Sequence, residues 1–204
     1  MPDELLKKLQ AFRLEYFPAH REKFAHLVKA GQRPKILFLG CSDSRIVPDL
    51  LMGTGPGDLF VIRNVGAIVP PYDVSHGMHG TTAGIEFAVL SLQVDKIIVC
   101  GHSHCGAVQL AYDGVPQGAV NLASWISLLD EALLPPPKTD ALLRKVEQRA
   151  IILQLERLMS FPMVKAKVEA NRLTLHGWHY VIEQGEVHIL DVAKQCFIPA
   201  HDTW

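Results

Sequence analysis

A chain of 204 residues that is 49% hydrophobic and carries a formal charge of −1 can bury a substantial core in one domain, and it is too apolar for a disordered chain. Near-neutral charge without a lysine/arginine run argues against nucleic acid, and no apolar run approaches the ~20 residues of a bilayer span. Charges interrupt the opening "MPDELLKKLQAFRLEYF", so it reads as an amphipathic helix rather than a signal peptide, and a cytoplasmic protein with no membrane partner is expected.

In that first segment Leu5, Leu9, Phe12 and Tyr16 recur at helical spacing and form one stripe. Pro18 is expected to start a second helix with Phe24, Leu27 and Val28 on its buried side. "PKILFLG", "DLFVIRN" and "DKIIVCG" are short apolar runs rich in branched residues and bounded by turn formers, the pattern of buried strands. Between the last two, Ile85, Ala88, Val89 and Leu92 make a helical face, with Thr81 or Thr82 as the expected N-cap. Helices follow at about 121–133 and 141–158, parted by the three prolines of "LLPPPKTD". A helix at about 163–171 precedes two strands, "TLHGWHYVI" and "EVHILDV", joined through "EQG". Buried strands separated by helical segments imply an α/β fold with a central, mainly parallel sheet flanked by helices. The division expected is a single domain over 1–204, with residues 1–30 as a helical arm docking on a partner subunit and 31–204 as the core with a C-terminal extension.

Sites in such sheets lie beyond the carboxyl ends of the strands. Two polar clusters occupy such ends, "CSDSR" after the first strand and "GHSHCGA" after the third. The four cysteines are Cys41, Cys100, Cys105 and Cys196, with no CxxC pair among them, so a metal site has to be assembled from separated segments. Zinc accepts thiolate and imidazole in a tetrahedron, with one position left for water or substrate in catalytic sites. His102 and Cys105 can converge on one ion, and Cys41 can supply a third ligand. Arg45 can hold Asp43 in a bidentate pair, off the metal and free to act as an acceptor. Spacing alone leaves a plainer reading open, in which the cysteines are small buried hydrophobes and Asp43–Arg45 is a structural pair.

The two clusters, taken with "AGQRPKILFLGCSDSR", "GDLFVIRNVGA", "GTTAGIEFAVLSLQVDKIIVCGHSHCGA" and "LHGWHYVIEQGEV", resemble the β-class carbonic anhydrases over roughly residues 25 to 192. The resemblance implies one zinc ion (Zn2+) per subunit on Cys41, His102 and Cys105, with Asp43 and Arg45 as the catalytic dyad. It implies Gln32 as an amide reaching across a dimer interface, and Phe60, Val65 and Phe87 as the apolar seat for CO2. Gly106 matches a close approach of backbone to metal. The implied activity is reversible hydration of CO2 to bicarbonate and a proton (carbonate dehydratase, a lyase), in a homodimer or larger homo-oligomer. Some members close the site by moving the aspartate onto zinc, coupled to bicarbonate near Gly40, Arg63 and Tyr180. Phe38 replaces the tryptophan those members carry, so an open site is expected. A relative of the fold hydrolyses carbonyl sulfide or carbon disulfide, and a zinc-stabilised scaffold is the non-enzyme alternative. The intact Cys-Ser-Asp-Ser-Arg run favours CO2.

Other features read as structural. His76 and His79 fall in a loop, His104 is a neighbour of the ligands, and His176 and His179 have core or interface roles. "GTGPGD" precedes a strand rather than a helix and is a turn, Cys100 is a core residue, and Cys196 has no assigned place.

Overall fold

The computed structural model describes residues 3–72 and 79–203. Its N-terminal arm is α1 (Asp3–Ala11), a wide turn over Phe12–Tyr16, and α2 (Phe17–Ala30). Pro18 sits in the first turn of α2, but the backbone at Tyr16 is already helical, so the arm runs on rather than restarting. The stripe is unburied within the single chain, with Leu9 58% and Phe12 48% exposed. Phe24 and Leu27 are half-buried. Val28, expected on the buried side, is 86% exposed, because it points away from the face on which Leu27 meets Gly57 and Lys23 meets Asp58 at 3.1 Å.

The six strands are β1 (Ile36–Cys41), β2 (Leu59–Asn64), β3 (Lys96–His102), β4 (Thr174–Val181), β5 (Glu186–Asp191) and β6 (Cys196–Pro199). They lie in the order β2-β1-β3-β4-β5-β6. The first four are parallel and the last two antiparallel. The β4–β5 connection is a 3-10 turn (Ile182–Gln184) ending on left-handed Gly185. Beyond β5, Cys196 begins β6, a short edge strand that the sequence reading left unassigned. β2, expected to be buried, lies at the other edge and alternates between half-buried and exposed residues.

Alternate residues of the central strands face opposite sides of the sheet. Leu37, Leu39, Ile97 and Val99 join the larger core, while Phe38, Ile98 and Cys100 form a smaller one. The helices are α3 (Pro48–Met52), α4 (Gly80–Glu86), α5 (Gly106–Asp113), α6 (Val120–Ile126), α7 (Asp140–Leu158) and α8 (Pro162–Glu169). α4 starts one residue before Thr81, with His79 as N-cap, so neither Thr81 nor Thr82 caps it. The Thr81 hydroxyl instead accepts from Asn64 Nδ2 at 3.1 Å, which ties α4 to the end of β2. Residues 127–132, expected to continue α6, form a 3-10 helix.

α7 positions the site more than any other helix. Thr139 caps it by accepting from the Leu142 amide at 3.1 Å, just after the proline break. The helix packs directly on β3 and β4. Its approach is close enough that a Cβ on Gly101 or Gly177 would stand 2.8 or 2.9 Å from the Ile151 side chain, so a larger residue at either position would push the helix off the sheet.

Candidate metal centre

Chain order reverses around β1: β2 lies on one side of it and β3 on the other. A crevice therefore opens beyond the carboxyl ends of β1 and β3, the place where parallel sheets bind ligands. Cys41 ends β1 and His102 ends β3. Ser103 and His104 make a tight turn, with His104 held at φ +57, and this turn delivers Cys105 to the N-cap of α5. The three residues expected as zinc ligands are thereby brought together. All are buried, and one ligand atom from each lies within 4.8 Å of the others.

Their chemistry suits a thiophilic cation. The Cys41 sulfur accepts from the amides of Asp43 and Gly66, each at 3.4 Å. The Cys105 sulfur accepts from the amides of Ala107 and Val108 in the first turn of α5. Cys41 is driven far below the ordinary thiol range, first by the hydrogen bond from Cys105, and Cys105 is driven up by the same contact and by burial. His102 Nδ1 donates to the Ser103 carbonyl at 2.8 Å, so its bare nitrogen is Nε2. That Nε2 is buried with no hydrogen-bond partner in the protein, an arrangement that is costly unless a cation takes the lone pair. Two sulfurs and a neutral imidazole are a zinc donor set with one coordination position left over.

Beside it, Asp43 is locked to Arg45. Oδ1 accepts from the Arg45 amide (3.0 Å) and Nε (2.9 Å), and Oδ2 accepts from Nη2 (2.8 Å). The Arg45 guanidinium holds the Asp43 carboxyl well below the usual carboxylate range. Nη2 also donates to the His104 carbonyl at 3.1 Å, joining the dyad to the other ligand loop. Asp43 Oδ2 stands 3.9 Å from His102 Nε2, adjacent to the donor set while paired elsewhere. Arg63 donates to the carbonyls of Cys41 (2.9 Å) and Asp43 (2.7 Å), so it braces this loop from β2.

The Phe60 and Phe87 rings form a tilted pair 5.7 Å apart. Val65 follows β2, and its carbonyl accepts from Trp125 Nε1 at 2.7 Å. Gln32 is exposed between α2 and β1. A Cβ on Gly106 would meet no protein atom within 4 Å. Gly66, at φ +82, is crowded instead: a Cβ there would stand 2.8 Å from that of Ala107. His104 is half-exposed and 3.5 Å from Glu183. His179 is buried against Glu147, His176 contacts Thr174, and Cys100 is fully buried. His76 lies outside the described residues, and His79 is exposed.

Several groups that hold the site were not singled out in the sequence. Asn64 bridges its own loop, accepting from the Ile68 amide (2.7 Å) and donating to the Ile68 carbonyl (2.8 Å), which closes the turn that carries Gly66. Gln154 accepts from the Val69 amide at 2.8 Å, and Arg157 donates to the Val69 carbonyl at 3.4 Å, so α7 anchors the same loop.

Comparison with known proteins agrees with this geometry. The family model described as carbonic anhydrase matches residues 36–187. A carbonic anhydrase of Pseudomonas aeruginosa is 40% identical over 197 residues, covering 92% of this chain and 86% of that one. The solved structure of the β-carbonic anhydrase CcaA superposes with a TM-score of 0.90 at 36% identity, covering 97% of this chain and 98% of the other. One of two tetrameric β-carbonic anhydrases from Sordaria macrospora superposes at 0.81 and 30% identity, over 96% and 98%. The folded sheet, the buried Cys-His-Cys group and these likenesses agree: the chain belongs to the β-class carbonic anhydrases.

Proposed function

We propose that this chain catalyses the reversible hydration of CO2 to bicarbonate and a proton, with zinc held by Cys41, His102 and Cys105. The observation that carries this is the buried, partnerless Nε2 of His102 set between two sulfurs that collect backbone amides. Zinc bound there supplies the Lewis acidity that makes water a nucleophile near neutral pH. The protein's share is orientation. Arg45 keeps Asp43 ionised and fixed, so Asp43 offers the reacting water only an acceptor and sets the direction of its lone pair. Phe60, Phe87 and Val65 offer the apolar wall on which a linear, nonpolar substrate rests. Because Asp43 is engaged by three donors of Arg45, the site is read as open.

Assembly into a homo-oligomer is part of the same proposal. The exposed Leu9 and Phe12 of the arm need a partner surface, and the Sordaria relative is described as tetrameric. Gln32 would then serve a neighbouring subunit's site. A cytoplasmic location fits four cysteines that are all free, and no helix among the described residues is long and apolar enough to cross a membrane. Stopped-flow CO2 hydration before and after zinc removal, with metal analysis, tests the activity. Hydration that persists at full rate in metal-free protein would refute it. Light scattering of the intact protein tests the assembly, and a monomer at working concentration would count against it.

A further inference from the structure

We propose that Glu147 is a positioning residue for the metal ligand Cys105, a role that depends on the zinc assignment above. Glu147 lies on the sheet-facing side of α7 and is 4% exposed. Its Oε1 accepts from the Cys105 amide at 3.2 Å. Its Oε2 accepts from His179 Nε2 at 3.1 Å and faces Arg144 Nε at 3.5 Å. Donors from the N-cap of α5, from β4 and from α7 itself therefore converge on one carboxylate.

The tautomers are consistent with this. A carboxylate only accepts, so His179 must carry its proton on Nε2. That leaves Nδ1 as a bare lone pair, buried without a hydrogen-bond partner in the protein. Burial holds His179 in the neutral form that this arrangement needs.

The second anchor of the same turn is Glu183. Ser103 Oγ donates to it at 2.7 Å and accepts from the Ile182 amide at 2.9 Å. Arg144 Nη2 donates to Glu183 at 2.7 Å, so one guanidinium links both carboxylates. The turn is thus fixed at Ser103 and at Cys105, on either side of His104, whose left-handed backbone would otherwise relax. Orienting the Cys105 peptide sets where its Cα–Cβ bond points, and so where the sulfur meets the ion.

Fold stability alone does not call for a carboxylate here. Replacing a buried ionic cluster with well-packed apolar residues is often neutral or stabilising, and the neighbours Ala150 and Ile151 are apolar. A glutamine would meet the Cys105 amide with its carbonyl and turn its NH2 towards His179, which would then have to carry its proton on Nδ1 instead of Nε2. Outer partners of metal ligands affect affinity by about 10- to 100-fold.

The test uses the full chain, zinc-loaded and separately cobalt-loaded, as wild type, Glu147→Gln, Glu147→Leu, Arg144→Met and the stability control Val146→Ala. Folding is checked by circular dichroism and thermal melting, zinc release by transfer to a chelator, and ligand geometry by the thiolate-to-cobalt charge-transfer absorption. We expect Glu147→Leu to release zinc about 10- to 100-fold faster with an altered cobalt band. Glu147→Gln and Arg144→Met should show smaller changes of the same kind, and Val146→Ala a lower melting temperature with an unchanged band. If the leucine variant does not fold, the glutamine and methionine variants decide. Folded variants with a wild-type band and zinc release within twofold of wild type overturn the role of Glu147, as does an equally altered band in Val146→Ala. Wild-type protein that takes up neither metal overturns the zinc assignment instead.

Discussion

Replacing Arg45 with methionine removes the guanidinium and keeps an unbranched chain about as long as arginine's aliphatic stem. Asp43 then loses the bonds from Nε (2.9 Å) and Nη2 (2.8 Å) and keeps the one from the residue-45 amide (3.0 Å). Charge-assisted bonds contribute about 1.5 to 3 kcal/mol each. The lower end applies, because the Arg45 side chain is 46% exposed and solvent screens it. Two such bonds come to about 3 kcal/mol of orientation, or about a hundredfold at 1.36 kcal/mol per decade. The freed carboxylate could also turn towards the donor set, since Oδ2 already stands 3.9 Å from His102 Nε2. Arg45→Lys, which restores a point charge without the fork, should recover about a tenfold part of the loss. The assay is stopped-flow CO2 hydration on protein with verified zinc content. Arg45→Met within threefold of wild type at full zinc occupancy would refute the orienting role of the dyad.

Glu183 is held down at about 2, first by Ser103 and then by its other donors. A depressed carboxyl contributes stability above its unfolded pKa and loses it as pH falls towards the folded value. Glu183→Gln should therefore cost about 1 kcal/mol at pH 7, a modest value because the side chain is 44% exposed. The gap from wild type in urea unfolding should narrow as pH falls from the ordinary carboxylate range towards 2; a gap constant with pH would contradict this. Cys100 is pushed up to about 12 by burial and stays a thiol, so Cys100→Ala should keep zinc and activity while Cys41→Ser loses both, read by elemental analysis and stopped-flow CO2 hydration. Gly66→Ala forces a side chain into left-handed backbone, about 1–2 kcal/mol, and into contact with Ala107, about 1–3 kcal/mol more. It should lower the melting temperature and the zinc content together, and an alanine variant with wild-type zinc content would show that this turn accepts a Cβ and still presents its amide to Cys41.

The strands and the long helix were legible because their signals are local. "KILFL" and "KIIVC" are apolar and bounded by turn formers, and parallel pairing buries both of their faces, so no alternation was needed to recognise them. β6 carried no such signal: four residues at an edge, beginning at exposed Cys196, pair only because β5 presents a free edge. The misplaced cap at Thr81 has a similar cause. A threonine before an apolar face is a sound local signal for a cap, but Asn64, seventeen positions earlier, claims its hydroxyl. Val28 falls on the exposed side of α2 because periodicity gives a face and not its partner, and in the single chain the helix meets the turn at residues 57–58 through Leu27 and Lys23.

The metal donors could be read because each stands immediately after a strand, and strand ends of a parallel sheet meet at one edge whatever their separation in sequence. The groups that hold those donors lie on a helix, where sequence carries the opposite message. In α7 Glu147, Gln154 and Arg157 look like its solvated residues, yet all three are buried. They also blur the apolar stripe by which a sheet-facing helix is normally recognised. Their burial becomes intelligible only with the partners in place: the Cys105 amide, both ends of the Val69 peptide, and Glu131, whose Oε1 accepts from Arg157 at 2.8 Å. Apart from the Glu131 carboxylate, those partners are backbone groups of irregular turns, which no side-chain pattern announces. A helix this poor in amphipathic contrast but rich in buried polar groups is therefore a pointer to the site in its own right, because buried backbone donors in the turns of an active site have to be satisfied by something.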